Sequence, residues 1–207
     1  MKKYELTAEF IEKWGKKLFR IKALISFGSV EVGELGGYVE KEDNLAQDGN
    51  AWVYGNARVC GNARVCGDAE VYGNAEVYGD AEVYGNAWVY GNARVCGNAE
   101  VYGNAEVYGD ARVCGDAEVY GNADYLLIGR IGSRFSFTTF FKNKDKGITV
   151  SCGCFLGTIA EFRAKVSDTH GNNKHAKIYN LAADMAELQI LGEEYFDNLN
   201  TNKSEPF

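Results

Sequence analysis

Long apolar runs are missing from this chain of 207 residues, so no membrane-spanning helix is expected. The opening "MKKYELTAEF" starts basic but lacks the apolar core of a secretion signal, which makes the cytoplasm the expected compartment. Histidine occurs only at His170 and His175, too few for a three-histidine zinc centre. No metal and no cofactor are expected. Between Ala51 and Asp124 both lysine and threonine are absent. That stretch holds four Arg against five Asp and six Glu, which by itself equals the whole-chain net charge of −7. An acidic middle excludes broad binding of nucleic-acid polymers, which requires many phosphate-neutralising cations.

What the middle does contain is a repeat. Valine recurs every six residues from Val53 to Val119, with alanine two places before each valine and Gly-Asn or Gly-Asp before each alanine. The unit G-[N/D]-A-x-V-[Y/C] reads as a two-sided strand plus a bend. Ala and Val share one face, while x and Tyr/Cys share the other. Gly with Asn or Asp supplies the corner. Cys60, Cys66, Cys96 and Cys114 occupy slots filled elsewhere by tyrosine; interchange with tyrosine points to packing bulk, and free thiols are expected.

The repeat resembles the hexapeptide-repeat superfamily of left-handed β-helices, the UDP-N-acetylglucosamine acyltransferase-like trimers. Val53, Asn56 and Ala57 match its pattern, although Tyr or Cys stands where that family often has Gly. The resemblance implies three units per coil of 18 residues, hence a parallel β-helix of about four coils. The flanking segments, "LFRIKALISFGSVEVGELGGYVEKEDNL" and "TTFFKNKDKGITVSCGCFLGTIAEFRAKVSDTHG", are similar to those of uncharacterised phage- and prophage-encoded hexapeptide-repeat proteins, for which the host cytoplasm would be the setting. A right-handed solenoid is the alternative.

The expected organisation is a cap over residues 1–43, the β-helix over 44–131 and a small α+β (ββαα) domain over 132–207. Thr7 is expected to cap a helix carrying Phe10, Ile11, Trp14 and Leu18, followed by a strand at "RIKALISF". In the last domain "RFSFTTFF" and "GITVSCGCF" read as paired strands. Thr158 and Glu161 form a capping box for a helix ending at Gly171. A second helix carries Ile178, Leu181, Ala182, Met185 and Leu188 on one stripe and stops near Gly192. The tail "NLNTNKSEPF" reads as loose.

An 18-residue coil sorts the outward residues into three columns. One is aromatic: Trp52, Tyr54, Tyr72, Trp88, Tyr90 and Tyr108. These six are the expected oligomer interface, since Trp and Tyr favour interfaces; plain stacking along the sheet is the alternative. A second column holds Arg58, Arg94 and Arg112 with Tyr78, the expected anion groove between subunits, guanidinium forks being suited to phosphates. Pairing of these arginines with Glu76 and with the acidic face of a neighbouring subunit is the competing expectation. The third column is acidic, with tyrosines. The superfamily resemblance implies a homotrimer.

Acyltransferases of this superfamily use a histidine base beside the coils, and no histidine lies there. The absence of threonine excludes the flat arrays of ice-binding solenoids. Cys152 and Cys154 form a weak C-x-C pattern that reads as strand packing rather than as a metal site. The favoured expectation is a non-catalytic oligomeric binding protein, phage- or prophage-encoded, capturing a small nucleotide-like anion or a host protein to counter host defence. An acyltransferase-like enzyme and a passive structural or assembly protein are the alternatives.

Overall fold

The computed structural model of the chain describes residues 1–192, in two compact units that meet at Asn122 and Ala123. The expected loose tail lies outside the described residues.

The first unit opens with a hairpin, β1 (Tyr4–Lys13) against β2 (Lys16–Ala23), and continues through β3 (Leu35–Val39). The expected N-terminal helix is therefore absent. Phe10 and Ile11 face Phe19 and Leu18 across the antiparallel pair instead. The apolar spacing suits either structure, and cross-strand pairing decides. Trp14 and Gly15 make the turn with φ of 53° and 72°, the left-handed pair that two-residue hairpin loops require.

Twelve short strands follow. They are Trp52–Val53 (β4), Arg58–Val59 (β5), Arg64–Val65 (β6), Glu70–Val71 (β7), Glu76–Val77 (β8), Glu82–Val83 (β9), Trp88–Val89 (β10), Arg94–Gly97 (β11), Glu100–Val101 (β12), Glu106–Val107 (β13), Arg112–Gly115 (β14) and Glu118–Val119 (β15). Each pairs in parallel with the strand three along, so Trp88 lies between Glu70 and Glu106, and Arg94 between Glu76 and Arg112. Three repeats thus make one rung. Three parallel sheets form the sides, and β2 and β3 extend one of them past β5, giving about five turns in all. Every alanine from Ala51 to Ala117 and every valine from Val53 to Val119 in the repeat is fully buried. Burial of this two-residue ladder is the main stabilising term of the unit.

The corners explain the fixed glycine. Gly97 has φ +73°, and a Cβ there would sit 2.8 Å from the amide nitrogen of Gly115 on the next rung. No other residue accepts both conditions. Beside it, Asn98 donates to Asp116 at 3.0 Å, one of several side-chain contacts running from rung to rung.

One expectation about cysteine is corrected. Cys96 and Cys114 are not free thiols but a disulfide between β11 and β14. In-register pairing on adjacent parallel strands places their Cα atoms 4.5 Å apart, within bonding reach. Cys60 and Cys66 remain free.

The tyrosines form ladders. Tyr72 and Tyr90 stack at 4.9 Å and Tyr84 and Tyr102 at 4.9 Å, while the hydroxyls of Tyr84 and Tyr90 donate to Glu100 and Glu106 on the next rung. Burial, reinforced by these carboxylates, raises the pKa of Tyr84 and Tyr90 above the ordinary 10.0; burial also raises Tyr54 and Tyr72. Above pH 10 the unfolded chain then holds fewer protons than the folded one, so stability falls as pH rises through that point. Lys3, which donates to the carbonyls of Asp48, Gly49 and Ala51, has the opposite sign. Its burial lowers its pKa from 10.5 to about 8. The expected result is a melting temperature that drops once pH exceeds 10, with phenolate absorbance lagging behind free tyrosine. A melting temperature that keeps rising above pH 10 would contradict the ladder.

The second unit is a four-stranded antiparallel sheet, β16 (Tyr125–Ile131), β17 (Ser136–Lys142), β18 (Ile148–Cys152) and β19 (Phe155–Thr158), with two helices. It holds two strands more than the expected pair. Helix α1 (Ile159–His170) has the expected capping box, with Thr158 accepting from the Glu161 amide at 3.2 Å and Gly171 at its end. Helix α2 (Lys174–Leu191) stops at Gly192, but its stripe is corrected. Ile178, Leu181, Met185 and Leu188 are exposed, and Ala176, Tyr179, Ala183, Ala186 and Ile190 join Ala182 inside. Both stripes have helical spacing; the alanine face allows the closer approach to the sheet.

Candidate functional site

The β1–β2 hairpin brings its tip onto the arginine column. Lys13 ion-pairs with Glu76 on β8, a residue only 4% exposed. Arg58 and Arg94, the neighbours of Glu76 on the rungs before and after, approach it at 3.3 and 3.2 Å. The Glu76 Oε2 atom facing Arg94 has ion-pair distance without hydrogen-bond geometry. One carboxylate is thus shared by three cations.

Beside this cluster lies a cleft of about 390 Å³ lined by Lys13, Trp14, Lys16, Tyr78, Arg94 and Glu76, among others. Its aromatic wall is Trp14 against Tyr78, ring centroids 5.6 Å apart. Lys13 lies over the Trp14 ring at 4.4 Å, held there by attraction to the ring face. Lys16 pairs with Glu40 at 2.8 Å, which raises the pKa of its ammonium. Around the cleft, four cations (Lys13, Lys16, Arg58 and Arg94) meet two carboxylates, Glu40 and Glu76. A positive recess on a chain of net charge −7 focuses a field that attracts anions.

Each residue of the expected groove is now placed. Arg94 and Tyr78 line the cleft; Arg58 pairs with Glu76 but is not among the lining residues; Arg112 lies one rung beyond Arg94 and outside the cleft lining. Arg58 and Arg94 pair with Glu76, which is the part of the competing expectation that concerns this chain alone. Sequence reasoning missed Lys13, Trp14 and Lys16 because it put them on a helix. The signal was "KWGKK", a Gly-containing turn between two strands.

Of the expected interface residues, Trp52 is corrected. It is fully buried under Tyr4 and Phe27, with ring centroids at 6.0 and 5.4 Å, and is not on the surface. Tyr54, Tyr72 and Tyr90 are half-buried in their ladder, while Trp88 and Tyr108 are exposed. Among the described residues no three His, Cys, Asp or Glu side chains gather to hold a metal. No helix among them is long and apolar enough to cross a membrane.

Comparison with known families places this geometry. Residues 51–67, 57–73 and 81–97 match the YdcK beta solenoid repeat, all within the coils. No curated protein sequence matches the chain. The repeat match and the 18-residue rungs together make this a β-solenoid repeat protein, similar over those segments to the YdcK repeat.

Proposed function

We propose that the protein is a non-catalytic binder that captures a small nucleotide-like anion in the cleft under the hairpin. The observation that carries this reading is the convergence of four cations against two carboxylates on an aromatic wall. Phosphate would engage Lys13, Lys16 and Arg94, and a base would stack on Trp14 and Tyr78, a combination worth roughly 1–3 kcal/mol per stacked base. The cleft volume of about 390 Å³ falls in the range of small-ligand pockets. Both histidines belong to the second unit, so the coils offer no histidine base for acyl transfer.

The wider proposal has three parts. The coils are left-handed, on the hexapeptide resemblance. The protein is a homotrimer, with Trp88 and Tyr108 at the contact and the arginine and glutamate columns complementary around a three-fold axis. The similarity of the flanks to phage-encoded proteins sets the capture inside an infected cell, where sequestering a signalling nucleotide would counter host defence.

Calorimetric titration with a panel of mono-, di- and cyclic dinucleotides and pyrophosphate tests the binding. The expected result is micromolar affinity for at least one nucleotide, weaker pyrophosphate binding, and weakening by salt. No binding by any member at millimolar concentration overturns it. Native mass spectrometry then counts the subunits.

A further inference from the structure

The second unit holds a separate cleft of about 220 Å³, lined in part by Cys152, Cys154, Arg134, Lys165, His170 and Tyr179. Cys152 ends β18, and its pairing with Phe155 leaves Gly153 and Cys154 as a two-residue turn, Gly153 having φ +61°. Two hydroxyls converge on the Cys152 sulfur. Thr138, fully buried, donates to it at 3.2 Å. The Tyr179 hydroxyl is also hydrogen-bonded to it. Burial, then the Cys152 charge and this hydrogen bond, pushes the Tyr179 pKa up to about 12.

The arrangement is built in from several sides. Gly132 has φ +71°, and a Cβ there would fall 1.9 Å from the Tyr179 hydroxyl oxygen. His170 stacks on the Tyr179 ring at 5.7 Å and Phe162 meets it edge-on at 5.6 Å. Arg134 reaches over the turn, its Nη1 3.5 Å from where a Gly153 Cβ would lie. A sulfur that accepts hydroxyl bonds in a partly open cleft lined by basic side chains has the surroundings of a reactive cysteine. Of the other cysteines, Cys96 and Cys114 are joined and Cys60 is buried, while Cys66 and Cys154 are free.

We propose that Cys152 is a peroxide-reactive cysteine and that Cys154 resolves it, making the β18–β19 turn a reversible oxidation site. The Cys152 thiolate attacks the distal oxygen of a hydroperoxide. An S–O bond forms, the O–O bond breaks, and the departing alkoxide or hydroxide takes a proton from solvent. Sulfur is oxidised by two electrons to sulfenic acid and the peroxide is reduced. The Cys154 sulfur then attacks the Cys152 sulfur; an S–S bond forms, the S–O bond breaks, and hydroxide leaves with the Cys154 proton as water. A tight turn keeps Cα atoms two residues apart near the roughly 4.4–6.8 Å a disulfide needs.

The test is full-length protein treated with one equivalent of hydrogen peroxide in the presence of dimedone, followed by peptide mapping. The expected product is a Cys152–Cys154 disulfide, and in Cys154→Ser a dimedone adduct at Cys152. Thr138→Val should slow the reaction at Cys152 about tenfold, and Thr138→Ser, which keeps the hydroxyl, should not. First labelling at Cys66 or Cys154, or an unchanged rate in Thr138→Val, overturns the assignment.

Discussion

Glu76→Ala lowers the stability of the solenoid unit by about 3 kcal/mol, the lower end of the cost of removing one partner from a buried ion pair. The lower end applies because Lys13 and Arg94 reach solvent, with side-chain exposures of 31% and 47%, while Glu76 itself is almost wholly enclosed. Without it, Lys13, Arg58 and Arg94 repel one another across the space the carboxylate filled. Urea denaturation measures the effect as a lower midpoint at unchanged slope. Millimolar phosphate should restore part of the loss, because an anion bound to the folded state alone stabilises it by mass action. A variant as stable as the parent would mean that the three cations do not depend on this carboxylate.

Arg94→Glu weakens nucleotide binding at least 100-fold. A hydrogen bond to a charged group contributes roughly 1.5–3 kcal/mol, about 10- to 150-fold, and reversing the sign adds repulsion. Arg112→Glu, altering the residue one rung beyond the cleft lining, should cost several-fold less than Arg94→Glu, because it removes no direct hydrogen bond to the anion and changes only a neighbouring charge. Calorimetry on both variants, with circular dichroism to show that each is folded, separates the two. Equal losses would return the site to the whole arginine column; no loss in Arg94→Glu would remove the cleft from the binding reading.

How legible all this was depended on where the contacts come from. The Ala and Val positions could be read directly, because a two-residue period and a fixed corner leave one inward face. The columns followed from the 18-residue rung. Trp52 could not be placed, because its cover, Tyr4 and Phe27, comes from outside the repeat. The hairpin is not specified by its own residues, because Phe10, Ile11 and Leu18 satisfy a helical stripe as well as a cross-strand pair, and only the pairing of β2 with β1 and β3 distinguishes them. The cleft was lost with it, since Lys13, Trp14 and Lys16 arrive there only through the turn at Trp14–Gly15. In α2 the inward face combines Tyr179 and Ile190 with four alanines, and Ile178, Leu181, Met185 and Leu188 are left outside; two stripes of equal helical spacing are told apart only by what the sheet packs against.

The in-register rungs have a consequence for how such a chain can change length. Each rung hands the next the same alanine, valine and corner glycine, so whole multiples of eighteen residues can be duplicated or excised without disturbing a side chain's column. Growth is quantised, in steps of roughly 4.8 Å. The hairpin stays anchored at the starting end whatever is added further along, so the length of the solenoid and the cleft under the hairpin can change separately.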